Sequence, residues 1–182
     1  NRSHPHYQFL LDLKTLADTV KQKRLARGRI DLNLTDSELV YHEGTFTDVA
    51  FSDRYLSHSI IEECMLSANE AVAKALREAD MPALYRVHEK MSDENVISLA
   101  RFLRSISMGI SQSTATPLGV NIQKVVERVA GLPQEKVINY VILRSMMQAF
   151  YGPAPEGHFG LGFEDYTHFT SPIRRYPDLI VH

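Results

Sequence analysis

The sequence predicts an α+β domain that is mainly helical and carries a small antiparallel sheet. Several long segments repeat apolar residues at the three- and four-residue spacing of an amphipathic helix. One segment, residues 29–51, instead alternates apolar and polar residues with the two-residue period of a strand. The length of 182 residues, 44% of them hydrophobic, fits one domain or most of one.

The first half of the chain divides into helix, strands and helix. Residues 5–29 combine helical apolar spacing with a basic tail, and Gly28 is a suitable helix stop. Residues 29–51 contain the turn signals "TDSE" and "HEGT", which predict two or three short antiparallel strands. Residues 57–80 have the strongest helical pattern in the sequence.

The second half alternates short elements with loops. The predicted order is a short strand or extended loop, a helix opened by Ser92, a loop, a helix stopped by Gly131, a buried helix opened by Pro133, and a Gly/Pro-rich loop. The last loop is a candidate functional segment, because long irregular loops in compact domains often carry sites. The corresponding ranges are 82–90, 92–107, 109–119, 120–130, 133–151 and 152–166.

Composition limits the classes of function. Lys and Arg number 20 against 22 Asp and Glu, a net charge of -2, so any site for an anion has to be local. No apolar run is long enough to span a bilayer, and no signal peptide opens the sequence. The single cysteine, Cys64, excludes an internal disulfide and a cysteine-rich metal site, and it is predicted to lie in the core. These features predict a cytoplasmic protein that does not bind membranes.

The segment "TSPIRRYPDL" predicts an anion site. Ser171 resembles a helix N-cap and a proline follows it, which places Arg174 and Arg175 in a first turn that is already partly positive. Free backbone N–H groups, the hydroxyls of Thr170 and Ser171, and an arginine fork together suit a phosphate group. The alternative is that these arginines pair with carboxylates elsewhere. Pro177 disfavours a continuous helix, so a single turn followed by a second helix start is expected.

Two adjacent glutamates on the long helix of residues 57–80 point in different directions. Glu62 and Asn69 share the side that carries most of the apolar residues, whereas Glu63 shares a side with charged residues and is predicted to face solvent. A carboxylate on a buried side is costly unless it is paired or used, which makes Glu62 a candidate site residue. The alternative is a capping box between Ser59 and Glu62, if the helix begins at Ser59.

Other residues give weaker signals. His158 and His168 lie in or next to the Gly/Pro-rich loop and are candidate substrate contacts. The sequence contains no HExxH metal motif, no Walker phosphate loop and no GxGxxG dinucleotide motif. The residues alone therefore leave open whether the protein is an enzyme or a helical anion-binding domain.

Four segments of the sequence resemble a known protein family. In their order and spacing they resemble the catalytic RNB domain of the ribonuclease II and ribonuclease R exoribonucleases, and the ribonuclease R branch is the nearer of the two. The resemblance covers nearly the whole chain, and the last segment is too long and irregular for a chance match. The segments are "IIEECMLSANEAVA", "ALYRVHEK", "ILRSMMQAFY" and "HFGLGFEDYTHFTSPIRRYPDLIVH".

The resemblance implies processive 3'-to-5' hydrolysis of single-stranded RNA to nucleoside 5'-monophosphates with magnesium. It places Arg174 at the scissile phosphate, where a guanidinium stabilises the charge of the transition state. It places the functional glutamate of the family on Glu62, near the terminal nucleotide, with Glu63 as the second choice. The further residues expected to contact RNA are Arg175, Ser171, Thr170, His168, Tyr166 and Asn69.

The chain also departs from the family pattern. The magnesium ligands of the family are a cluster of aspartates, and no segment here matches that cluster. An aromatic residue that often follows the Arg-Gly segment is absent, because Ile30 and Leu32 stand there. We therefore expect residues 1–182 to be the C-terminal two thirds of the catalytic domain, with no metal ligands of their own and no activity alone.

This expectation has consequences for partners and for the alternatives. The magnesium ligands would come from outside this chain, and the remainder of the RNB domain and flanking OB-fold domains would be its partners on RNA. A non-catalytic RNA-binding or scaffolding remnant of such a domain is the alternative function. A helical anion-binding domain unrelated to RNA is the third.

Overall fold

The computed structural model describes residues 4–32, 34, 37–51, 55–110 and 116–182. Within these ranges the chain has six α-helices and four short strands, which confirms the predicted α+β class. The helices are α1 (Tyr7–Arg27), α2 (Leu56–Glu78), α3 (Asp93–Ser105), α4 (Leu118–Val129), α5 (Glu135–Ser145) and α6 (Tyr176–Val181). The strands are β1 (Ser37–His42), β2 (Thr45–Phe51), β3 (Tyr85–Val87) and β4 (Phe150–Gly152), and a 3-10 turn spans Phe159–Leu161.

The first helix ends where the sequence predicts. Gly28 adopts a left-handed conformation with φ +111°, and its N–H donates to the carbonyl of Leu25 at 3.0 Å. The start of α4 packs directly on this turn, because a Cβ built on Gly119 would lie 2.1 Å from the carbonyl oxygen of Gly28. Two glycines at one contact thus fix the end of α1 against α4.

The largest hydrophobic cluster joins α3, α4 and α5. The side chain of Ser92 caps α3 as predicted, since its Oγ accepts from the N–H of Asn95 at 3.3 Å. Apolar side chains on one face of each helix then meet in a common core. The buried residues of this core are Ile30, Met91, Leu99, Leu103, Ile122, Val125, Val126, Val129, Ile138 and Ile142.

The four strands form two separate antiparallel pairs. β1 and β2 form a hairpin, which confirms the strands predicted between residues 29 and 51. β3 pairs with β4, so that Arg86 lies opposite Tyr151. On its other side β3 makes a bridge between Tyr85 and Thr167. The strand β3 therefore lies between β4 and the segment that leads to the Ser-Pro-Ile-Arg-Arg element.

The prediction of one long buried helix over residues 133–151 is wrong. α5 ends at Ser145, and Met146 has extended backbone. Val137, Tyr140 and Leu143 are exposed, so α5 buries one face rather than its whole surface. The remaining residues form β4, since strand pairing with β3 supplies hydrogen bonds that sequence periodicity does not reveal.

Residues 111–115 of the predicted loop, and residues 35 and 36 of the first turn signal, lie outside the described residues. Every helix in the described ranges is too short or too polar to cross a membrane.

Candidate functional site

The segment from Tyr166 to His168 is held alongside β3. The N–H of Arg86 donates to the carbonyl of Tyr166 at 2.8 Å. The hydroxyl of Thr167, a fully buried residue, donates to the carbonyl of Leu84 at 2.6 Å. These bonds fix the backbone just before the Ser-Pro-Ile-Arg-Arg element.

Asn69 connects this segment to α2. Its Nδ2 donates to the Tyr166 hydroxyl at 3.1 Å, and its Oδ1 accepts from the N–H of Phe169 at 3.0 Å. Asn69 is 3% exposed, which confirms that it lies on a buried side of α2. Tyr166 is also buried and stacks on Phe163 with 5.1 Å between ring centroids, and burial raises the pKa of Tyr166. Both predicted RNA contacts therefore hold the segment in place from within the protein.

The arginine pair sits on a single turn followed by α6, as Pro177 predicted. The N–H groups of Arg174 and Arg175 both donate to the carbonyl of Ser171, at 3.3 and 3.2 Å. The N–H of Ser171 donates to Oδ1 of Asp178 at 2.7 Å. These three backbone donors, which the sequence suggested would be free for an anion, are already used.

The two arginines differ in their partners. Arg175 binds Asp178 through two hydrogen bonds, from Nε to Oδ2 at 2.8 Å and from Nη2 to Oδ1 at 2.7 Å. Asp178 is fully buried, which alone would raise its pKa, but hydrogen bonds from Arg175 and Ser171 bring that pKa below its ordinary value. Arg174 is exposed, and its guanidinium makes no ion pair or hydrogen bond with the described residues. The carboxylate-pairing alternative thus holds for Arg175, and Arg174 is the available cation.

The predicted contacts His168 and Thr170 lie next to the arginines. The Nδ1 of His168 is 2.6 Å from the Tyr151 hydroxyl. Burial, followed by the positive charges of Arg175, Arg86 and Arg174, lowers the pKa of His168 to about 4, so its ring is neutral at pH 7. The hydroxyl of Thr170 is buried and has no hydrogen-bond partner among the described residues.

The predicted faces of the two glutamates are wrong. Glu63 is 3% exposed and forms ion pairs with Arg24 and Arg29. The side chain of Glu62 is 35% exposed, and its Oε1 accepts from Nη2 of Arg29 at 2.9 Å. Glu63 and Glu70 on this side of α2 face the end of α1, where Arg24, Arg27 and Arg29 pair with them. The site role of Glu62 therefore rests on the family resemblance alone.

Two other predictions on α2 fail for related reasons. The helix begins at Leu56 after Tyr55, so Ser59 lies inside the first turns and cannot form the capping box with Glu62. Cys64 is exposed, not part of the core. The periodicity of apolar residues located the helix correctly. The side of α2 that is buried includes Glu63, however, because α1 packs against it.

The cations that bind these glutamates are two arginines for which the sequence gave no site signal. Arg24 is buried, donates to Ser67 Oγ at 2.7 Å, and lies 5.1 Å above the ring of Phe163. Arg24 was visible only as part of a basic helix tail and Arg29 only as a residue after the helix stop, and their distance from Glu63 in sequence gave no signal of pairing. Through Phe163 and Tyr166 this ion-pair cluster contacts the segment that carries Arg174.

His158, a candidate substrate contact, is half-buried and packs within its loop. Its Nδ1 accepts from the N–H of Leu161 at 3.3 Å, and its ring packs edge-on against His88 at 4.9 Å. Burial, and then the nearby His88 and Arg86, lower the pKa of His158 to about 3. Its ring is therefore neutral and belongs to the support of the loop.

The described residues do not fit a magnesium site. No group of three or more His, Cys, Asp or Glu side chains in these ranges could hold a metal ion. Buried Glu63 and Asp178 are each neutralised by arginines. No catalytic step can be built on a metal held by this part of the chain.

Comparison with known proteins identifies the family. Residues 1–182 match the RNB domain. Ribonuclease R of Aquifex aeolicus is 42% identical over 172 residues, which is 93% of this chain and 24% of that protein. Ribonuclease R of Escherichia coli K12 is 35% identical over 179 residues, which is 98% of this chain and 22% of that protein.

A solved structure agrees in fold. Mycoplasma genitalium RNase R in complex with ribose methylated single-stranded RNA superposes with a TM-score of 0.88 at 32% identity, over 95% of this chain and 27% of that one. This chain thus spans about a quarter of the length of the relatives that it matches. The chain belongs to the RNB-domain family, with ribonuclease R among its relatives.

Proposed function

We propose that this chain is part of a 3'-to-5' exoribonuclease that hydrolyses single-stranded RNA to nucleoside 5'-monophosphates. The observation that carries the proposal is the difference between the two arginines. Asp178 neutralises Arg175, while Arg174 on the same turn is exposed and unpaired among the described residues. Arg174 is thus the group that can contact a phosphate.

The proposed chemistry is an in-line displacement at phosphorus. Water attacks the last phosphodiester, the bond to the 3' oxygen of the preceding nucleotide breaks, and the terminal nucleotide leaves with its 5' phosphate. Arg174 binds the non-bridging oxygens and stabilises their charge in the transition state. Glu62 is proposed to accept a hydrogen bond from a hydroxyl of the terminal ribose. Magnesium would assist the attack, held by carboxylates from outside the described residues.

The other predicted site residues either lie near Arg174 or position the segment that carries it. His168 and Ser171 line the approach to Arg174, and Arg175 strengthens the local positive field although Asp178 binds it. Asn69 and Tyr166 act as positioning residues. The remainder of an RNB domain and flanking OB-fold domains are the proposed partners, and the cytoplasm is the proposed location.

The test uses the full-length protein that contains this chain and a 5'-labelled single-stranded RNA. With magnesium we expect a ladder that shortens from the 3' end and release of nucleoside 5'-monophosphates. Arg174→Ala should slow the single-turnover rate by at least about a hundredfold, as loss of a transition-state donor does. Arg101→Ala, at an exposed arginine on α3, is the matched control. Equal rates for Arg174→Ala and the wild type would refute the role of Arg174.

A second candidate function is RNA binding without hydrolysis. The lack of a metal-binding group within the described ranges favours it for this chain in isolation. The same assay separates the two functions. Salt-dependent RNA binding with no shortening of the label, by the full-length protein, would replace the exonuclease proposal with the binding one.

A further inference from the structure

The outer face of the small β3–β4 sheet carries a cation and an aromatic ring in contact. Arg86 and Tyr151 lie directly opposite each other in the register, so both side chains project from the same face. The Arg86 guanidinium carbon lies 4.8 Å from the centroid of the Tyr151 ring. Tyr151 remains 39% exposed, so part of its ring is available to a ligand.

His168 completes this face from the neighbouring segment. Its ring packs edge-on against Tyr151 with 5.6 Å between centroids, and the Tyr151 hydroxyl is 2.6 Å from its Nδ1. A neutral imidazole that accepts the phenol hydrogen at Nδ1 carries its own hydrogen on Nε2. The ring of Tyr151 is thereby fixed by Arg86 at one side and His168 at its hydroxyl.

Positively charged side chains lie around Tyr151 and His168, although the net charge of the chain is -2. Arg86 lies against the ring of Tyr151, and His168, which contacts the same ring, precedes Arg174 by six residues and Arg175 by seven. The positive charges of Arg175, Arg86 and Arg174 also lower the pKa of His168. Asp178 is the carboxylate that opposes them there, and it is bound by Arg175. The short segment of residues 168–174 therefore joins the contact with the Tyr151 ring, made by His168, to the unpaired Arg174.

Resting on the proposed function, we propose that Tyr151 stacks on the base of a nucleotide adjacent to the phosphate bound by Arg174. Arg86 supports the ring and adds positive charge, and His168 holds the phenol and offers Nε2–H to a ribose or phosphate oxygen. Stacking on a tyrosine tolerates every base, since each base has a π face. This subsite would thus grip single-stranded RNA without reading its sequence.

The first experiment measures binding of the full-length protein to fluorescent single-stranded RNA in EDTA, which prevents hydrolysis. Tyr151→Leu should weaken binding about tenfold, within the range of one base–aromatic stack. Tyr151→Phe keeps the ring and should bind within about twofold of the wild type. Tyr140→Leu, at an exposed tyrosine on α5, is the matched control and should bind as the wild type does.

The second experiment identifies the stacked base. Single abasic nucleotides are placed in turn along the last positions of the RNA. Wild-type binding should weaken at one position, and Tyr151→Leu should show no further loss at that position. A loss from Tyr151→Leu that is the same for every RNA would indicate a structural effect and would overturn the subsite, as would unchanged binding by Tyr151→Leu.

Failure of this inference is distinguishable from failure of the proposed function. If wild type and Tyr151→Leu bind equally while the wild type degrades RNA with magnesium, only the stacking subsite is wrong. If the wild type shows the abasic effect but never shortens the RNA, the exonuclease proposal fails. Should Tyr151→Leu not fold, cross-linking of 4-thiouridine RNA to wild-type Tyr151 replaces it, and absence of a cross-link at every position refutes the subsite.

Discussion

Arg174 and Arg175 are adjacent and carry the same charge, but the buried carboxylate of Asp178 binds only Arg175. Asp178 lies three residues after Arg175 and takes both of its hydrogen bonds. The turn at Ser171 and the start of α6 at Tyr176 bring this carboxylate to Arg175 and leave Arg174 exposed. The local spacing placed both arginines near an anion site and did not distinguish them, because the difference depends on a contact made across the turn. Only the family resemblance singled out Arg174.

The half-buried His158 predicts a loss of stability in mild acid. The pKa of His158 falls from 6.5 to about 3 in the folded protein, so between these values the unfolded chain binds a proton that the folded chain does not. Stability should therefore decrease as pH falls below about 6.5, because unfolding is coupled to proton uptake. His158→Gln, whose side chain can still accept from Leu161, should make urea midpoints less dependent on pH between 6.5 and 4.

The matched control for this prediction is His58→Gln, at an exposed histidine in the first turn of α2. It should leave the pH dependence as it is in the wild type. Identical slopes for His158→Gln and the wild type would show that His158 does not titrate on unfolding.

At the scale of elements, the pairing of α1 with α2 explains the wrong assignment of the glutamates. Glu63 and Glu70 of α2 face the end of α1, where Arg27 pairs with Glu70 at 2.8 Å. Helical periodicity predicts that the side of a helix with charged residues faces solvent. This prediction fails where a neighbouring element carries the opposite charges and packs on that side. Glu63 is buried for this reason, although its helical side looked polar in the sequence.

Substitution of Glu63 should therefore lower the free energy of unfolding more than substitution of Glu62. Glu63→Gln leaves the buried Arg24 without its carboxylate, while Arg29 keeps Glu62 and Asp31, and the change should cost about 3–5 kcal/mol of unfolding free energy. Glu62→Gln affects a partly exposed pair and should cost about 1 kcal/mol or less. Urea unfolding of the full-length protein, with the transition of this domain followed by hydrogen exchange, measures both.

Activity gives the second readout for the same two variants. Under conditions where both are folded, Glu62→Gln should slow RNA hydrolysis more than Glu63→Gln if Glu62 contacts the terminal nucleotide. Equal stability of the two variants would contradict the ion-pair network that the structure shows. A slower Glu63→Gln with normal Glu62→Gln would move the functional assignment to Glu63.

Local signals were sufficient for most elements and insufficient for a few. α1 and α3 have both periodicity and a capping residue, Gly28 and Ser92, and their bounds could be predicted. β4 has three residues and depends on its pairing with β3, so no local pattern marks it. α5 is apolar on a face that remains exposed in this chain, and composition alone suggested full burial.

At the scale of the whole molecule, the candidate site draws on distant parts of the chain. The contiguous stretch from Tyr166 to Arg175 could be recognised in the sequence because its residues are adjacent. Asn69, Arg86 and Tyr151 reach the same place only through α2, β3 and β4. Asn69 was singled out in the sequence, but its bonds to Tyr166 and Phe169 could not be predicted, nor could the positions of Arg86 and Tyr151, since they follow from helix packing and strand pairing.

The distribution of charge leads to a last prediction. A chain with net charge -2 has no broad attraction for a polyanion, so RNA affinity must depend on the few cations of one surface. Each phosphate contact on single-stranded nucleic acid contributes about 0.7 to the slope of log affinity against log salt. Arg174→Ala in the full-length protein should reduce that slope by about 0.7, measured by fluorescence anisotropy in EDTA between low and moderate salt.

Arg101→Ala removes an equal charge from α3 and separates a direct contact from a change in net charge. It should leave the slope unchanged, because an exposed charge away from the RNA is screened within about 10 Å at 0.1 M salt. If both variants reduced the slope alike, the RNA would be responding to overall charge, and Arg174 would hold no phosphate. A reduced slope for Arg174→Ala alone, with the hundredfold loss of rate expected from transition-state stabilisation, would show that one guanidinium both binds the phosphate and stabilises its reaction.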